Sequence, residues 1–132
     1  FSHNTMLLNL SHLKIHQTWL EFLIAAYHKK IDDALEAYFV LGPEAVREVG
    51  ALSDLEETFK ELFTVDVEYE HVFERLKEAS GKVKVWAINQ NNKKDEKDLN
   101  YSTHKEHGLC AIVIGGHKLS RGLTLEGLSI SY

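Results

Sequence analysis

The residues best equipped for chemistry lie late in the 132-residue sequence, in the run Ala111-Ile-Val-Ile-Gly-Gly-His-Lys-Leu-Ser-Arg-Gly-Leu-Thr-Leu-Glu-Gly127. An apolar segment delivers Gly115 and Gly116 to a polar corner holding His117, Lys118, Ser120 and Arg121, and Gly122 and Thr124 follow. Glycines let backbone amides approach a phosphate with no Cβ in the way, and a hydroxyl and two cations add charge-assisted hydrogen bonds. In outline this is a phosphate-facing corner, although two glycines after a strand also make an ordinary turn.

Other groupings carry less. Among eight histidines, His12 with His16 and His104 with His107 fall close together, but neither pair has a third ligand in view, so no native metal site is expected. Asp95-Glu96-Lys97-Asp98 has the residue types of a nuclease centre without a strand framework to hold a divalent ion, and it reads as a solvated charge run. No Gly-x-x-x-x-Gly-Lys-Ser/Thr phosphate loop occurs, nor a strand-end acidic pair for magnesium.

The elements that must position the corner follow from periodicity. Thr5 to Leu10 and Lys82 to Ile88 read as strands, Leu109 to Ile114 as a continuous apolar strand covered on both faces, and Leu128 to Tyr132 as an alternating last strand. From Lys14 to about Phe39 a helix is predicted, with Ile15, Trp19, Phe22, Leu23, Ala26 and Tyr27 forming the face that packs in the core. Gly42-Pro43 interrupts it. Ser53-Asp-Leu-Glu56 suggests a capping box opening a second helix that ends near Val65, and a third is expected from Glu68 to Ala79, stopped by Ser80-Gly81. Asn89 to His107 is polar and reads as an exposed loop.

Strands alternating with helices imply an open, mostly parallel α/β sheet in one domain, residues 1–132, with residues 43–80 as a helical, acidic insertion. In such sheets ligands gather beyond the strand carboxyl ends, here Ser11-His12, Asn89-Gln90 and Gly115-Gly116.

Composition narrows the class. The formal charge is -5, with acidity concentrated between Glu44 and Glu78 and Lys93, Lys94, Lys97, Lys105, Lys118 and Arg121 in the last third. That balance is unlike a free-standing nucleic-acid binder, yet it permits one basic edge on an acidic body. The lone Cys110 excludes a disulfide framework within the chain and suits a reduced, cytoplasmic setting; no apolar run reaches the ~20 residues of a membrane span. Phe1 stands first and the last strand stops without a turn signal, so the sequence reads as a piece of a larger protein.

The segment Ser120-Arg121-Gly122-Leu123-Thr124 after a buried strand is similar to the fifth motif of superfamily-two helicases. More closely, Gly115 through Tyr132 resembles the signature of the Z1 domain, a family of bacterial proteins described as endonucleases with helicase-like ATPase lobes. The opening His3 to Leu13 and Val85 to Gln90 resemble that family's strands in the same lobe. The resemblance implies a RecA-like second lobe. It implies that Gly116, His117, Lys118, Ser120 and His12 meet nucleic acid, expected to be DNA, and that Arg121, Gly122 and Thr124 face the nucleotide or a first ATPase lobe. ATP and magnesium are then expected only in a full-length parent, and the fragment alone is expected to be inactive. Gly116 stands where many helicases have a phosphate-binding Thr, and Thr124 where they have a ribose-binding Asp. The alternative is an interaction module with a helicase-like fold, its acidic helices, Glu56, Glu57 and Glu61 included, capturing a partner.

Overall fold

The computed structural model describes residues 2–9, 13–88, 101–116 and 125–132. The chain runs β1 (Asn4–Asn9), α1 (Lys14–Tyr38), α2 (Gly50–Leu62), α3 (Tyr69–Lys82), β2 (Val83–Ile88), β3 (Cys110–Gly115) and β4 (Leu128–Ser131), with short 3-10 turns at Phe39–Leu41, Ala45–Glu48 and Tyr101–His104. The four strands form one sheet in the order β2-β3-β1-β4, and every neighbouring pair is parallel. The expected open α/β sheet is therefore present. None of the helices described is long and apolar enough to cross a membrane.

Two compact units are distinguishable: residues 1–25 with 82–132, which hold the sheet, and residues 26–81, which hold the rest of α1 with α2 and α3. In the sheet unit, β3 and β1 each have a strand on both sides, and their residues match the demand. Val113 and Ile114 of β3 are wholly buried, as continuous apolar sequence in a covered parallel strand requires. Ile88, Tyr101, Leu109, Ala111 and Val113 form its core, with Leu7, Trp86 and Leu125 packed against it. Tyr101 thus leaves the polar stretch that reads as exposed loop and enters the core. At the edge, β4 is exposed at all four residues.

In the helical unit, Ala34, Leu35, Val46, Leu52, Tyr69 and Phe73 make a second core. Several sequence boundaries move here. Helix α2 opens at Gly50 behind Val49, with no side-chain cap, so Ser53 lies inside the helix rather than at its start. Glu56 is instead buried, accepting hydrogen bonds from Lys60 Nζ at 2.6 Å and from the Arg47 guanidinium at 3.4 Å. The Lys60 hydrogen bond holds its carboxyl below the usual value, with burial opposing and Arg47 assisting. Nearby, burial first and the Glu56 charge second push the Tyr69 phenol up to about 12. Helix α3 runs through Ser80-Gly81 to Lys82 and passes straight into β2, so that pair is no stop signal.

The largest departure concerns α1. Its apolar stripe was expected in the core, but Ile15 is 74% exposed and Trp19 and Phe22 are each 64% exposed, with Leu23 and Tyr27 also on the surface. In the sheet unit the less exposed side is Gln17, Leu20, Glu21 and Ile24. Glu21 fixes this orientation by accepting a hydrogen bond from the Ala87 amide of β2 at 3.1 Å. Helical periodicity shows that a stripe exists without saying which side of the helix meets the sheet.

Candidate site at the carboxyl ends of β1 and β3

The strand order itself points to a location. From β1 the chain travels outward to β2 at one edge; from β3, adjacent to β1, it travels the other way to β4. Neighbouring strands with connections in opposite directions create a topological switch point, where open α/β sheets bind ligands beyond the strand carboxyl ends. Asn9 and Gly115 are register partners, so the two strands finish level with one another.

The residues singled out from sequence follow these two ends. His12 lies three positions beyond Asn9, and His117, Lys118, Ser120, Arg121, Gly122 and Thr124 begin two positions beyond Gly115. All seven lie outside the described residues, as does Asp95-Glu96-Lys97-Asp98. Gly116 is described, and it is buried directly after β3. Among the described residues the glycines with positive φ are Gly42, Gly108 and Gly127.

What lies at the opposite end of the sheet was not legible in sequence. Thr5 is wholly buried, and its hydroxyl donates to the Glu126 carbonyl at 2.7 Å. Having spent its one proton there, it accepts from the Tyr101 hydroxyl at 2.8 Å. His3 Nδ1 accepts the Leu109 amide at 3.0 Å, which leaves Nε2 protonated and facing the Glu126 carboxylate at 3.6 Å. The imidazole also meets Tyr101 edge-on at 4.9 Å between centroids. Gly127 completes the arrangement with φ +65°; a Cβ there would fall 2.0 Å from the His3 carbonyl oxygen. These contacts tie the segments entering β1, β3 and β4 together. Adjacent polar types with no local spacing gave no signal, because Thr5 and Tyr101 meet across 96 positions.

No group of three or more His, Cys, Asp or Glu side chains suited to a metal ion occurs among the described residues. In the helical unit His28, Asp32 and Ser80 nevertheless converge, a cluster that the sequence reading overlooked although its His-x-x-x-Asp spacing on a helix was available.

Compared with known proteins, the Z1 domain model matches residues 1–132. No curated protein and no solved structure matches the chain. The chain belongs to the Z1 domain family.

Proposed function

We propose, with Z1 membership as the premise, that the chain is the second lobe of a helicase-like, nucleic-acid-dependent ATPase and supplies the corner after β3 to its interface with nucleotide and nucleic acid. One observation carries this reading: the run resembling the fifth helicase motif leaves a central, buried parallel strand at the sheet's switch point. A motor needs such a corner on a rigid strand, because phosphoryl transfer is governed by positioning and electrostatic stabilisation. In this reading Arg121, Gly122 and Thr124 face the nucleotide or the first ATPase lobe. Gly116, His117, Lys118, Ser120 and His12 track the nucleic-acid backbone, taken to be DNA. ATP and magnesium bind when the first lobe contributes its phosphate loop, which this sequence does not contain.

The test is ATP hydrolysis by a protein carrying both lobes, with and without single- and double-stranded DNA, comparing wild type with Arg121→Ala. DNA-stimulated turnover lost in a folded variant supports the assignment. Unchanged turnover refutes the role of the arginine.

A second reading, an interaction module without motor activity, draws support from the exposed Ile15, Trp19 and Phe22 of α1, since contiguous apolar surface marks contact with another macromolecule. It expects no nucleotide response and loss of partner capture after charge reversal at the exposed Glu57 and Glu61. Glu56 leaves that set because it is buried against Arg47 and Lys60.

A further inference from the structure

We propose that the exposed side of α1 is an interface with a second copy of this chain, in which the two α1 helices pack along one another in opposite directions. The helix wears its sides in reverse. Gln17 is buried and Glu21 accepts the Ala87 amide of β2, whereas Ile15, Trp19, Phe22 and Leu23 stay on the surface, the last of them 45% exposed. Trp19 and Phe22 stack on one another there, with ring centroids 6.1 Å apart and planes 28° from parallel. All of these residues lie in the sheet unit. A contiguous apolar row of this kind is surface that association removes from water.

Charge and spacing select what covers it. Between Ile15 and Ala25 the exposed side chains include no acid, lysine or arginine, and the one acid in that stretch, Glu21, is the β2 contact. Such a face offers no cation to a nucleic-acid phosphate or to an acidic lipid headgroup. It also carries no like charges to repel its own copy. Ile15, Trp19 and Phe22 follow one another at four and then three residues, the spacing of a seam between two helices.

Direction follows from size. Parallel helices would set like on like, Ile15 against Ile15 at one end of the row and Ala25 near Ala25 at the other, leaving the seam wide at one end and hollow at the other. A two-fold axis level with the midpoint between Leu20 and Glu21 instead sets Trp19 of each copy against Phe22 of the other. It also brings Ile15 to the end where Ala25 leaves room, so that large and small side chains alternate across the seam. On the flank, Thr18 of one helix comes beside Ala25 of the other. The four large side chains expose on the order of 500 Å², and two copies together bury about 1,000 Å², the lower bound for a specific interface. The dimer is therefore a weak one that dilution separates. It uses the face cited for the interaction reading but does not stand or fall with that reading, because nucleotide turnover and partner capture at Glu57 and Glu61 are measured separately.

Sedimentation velocity of the intact protein over a series of concentrations tests it. A monomer–dimer equilibrium is expected, weakened at least about tenfold by Trp19→Glu and by Phe22→Glu, since buried aromatic anchors dominate interfaces. Leu62→Glu, which charges a leucine 72% exposed in the helical unit, should dimerise as wild type. The unfolding midpoint of the dilute monomer should be the same in Trp19→Glu and Phe22→Glu as in wild type, because the monomer holds both rings in water. For direction, Thr18→Glu with Ala25→Lys should associate several-fold more tightly than Thr18→Glu with Ala25→Glu, the facing charges attracting in the first and repelling in the second; equal association would overturn the antiparallel arrangement. A monomer at every concentration, or a dimer that survives both glutamate variants, overturns the interface itself. So does a dilute monomer destabilised by those variants, which would mean that another part of the same protein covers the row.

Discussion

The two ends of the parallel sheet solve different problems. At the end where the strands begin, Thr5, Tyr101, His3 and Glu126 are linked side chain to side chain and to backbone, and Gly127 lets the chain pass against His3. At the end where they finish, β1 and β3 stop level and small residues, Gly115 and Gly116, lead into the polar corner. The first arrangement has satisfied its buried polar groups internally; the second delivers donors and cations beyond the last ladder pair. Such a division lets the finishing end vary without loosening the strands that carry it.

Substitutions can break this contrast. The largest effect is expected at the finishing end: Arg121→Ala should lower DNA-stimulated ATP turnover in the two-lobed protein by on the order of a hundredfold, the cost of removing one preorganised charge-stabilising donor, with the unfolding midpoint unchanged. A comparable loss of stability would show instead that the corner belongs to the scaffold. Next, Gly127→Ala at the beginning end should destabilise by more than about 2 kcal/mol, read from urea unfolding, because a left-handed backbone and a clash with the His3 carbonyl add together. Its turnover at temperatures where it remains folded should be normal.

A finer test is Thr5→Val, nearly isosteric, which strips the Tyr101 hydroxyl of its acceptor and the Glu126 carbonyl of its donor. A loss of roughly 1–3 kcal/mol is expected, and Tyr101→Phe in the same background should recover part of it, since removing both partners leaves fewer buried groups unsatisfied. Failure of the second change to recover anything would mean that the hydroxyl pair is not coupled.

The smallest effect is expected away from both ends. Glu56 titrates below its ordinary 4.5 in the folded state, so its contribution is fully present above that value and is lost as pH falls through the lower folded value. Its partners Lys60 and Arg47 are half or more exposed, which keeps the contribution modest. Glu56→Gln should flatten the dependence of unfolding free energy on pH in that acid window; an unchanged slope would place the titration elsewhere.

How far the sequence discloses this molecule depends on the range of the interaction involved. The apolar run Leu109 to Ile114 maps onto β3 with a shift of one residue, and the helix from Lys14 is found within one residue of its expected end, because both patterns are local. The side of α1 that faces the sheet was misread, since burying Gln17 in place of Trp19 depends on β2 and on the Glu21–Ala87 contact. Ser53 and Glu56 have the spacing of a capping box, but Arg47 and Lys60 claim the carboxylate and Val49 takes the cap position. The Thr5–Tyr101 pair is invisible for the same reason, its partners being joined only by the completed sheet. Of the candidate site, the sequence offers the corner as a proposal and the topology shows where the strand before it ends; Gly116 is the one proposed contact residue that the structure describes.

The strand order also sets the sequence of events during synthesis. Strand β1 leaves the ribosome before the other elements described, yet both of its neighbours are encoded about a hundred residues or more downstream. Until β3 and β4 emerge, Thr5, Met6, Leu7 and Leu8 have no ladder to join, while the end of α1, α2 and α3 already hold all the residues of their own core. Parallel pairings at such separation form late and leave apolar strands open to wrong partners in the interval. The core of the helical unit therefore closes within residues 31–76, whereas the pairing of β1 must wait for strands encoded near the far end of this sequence.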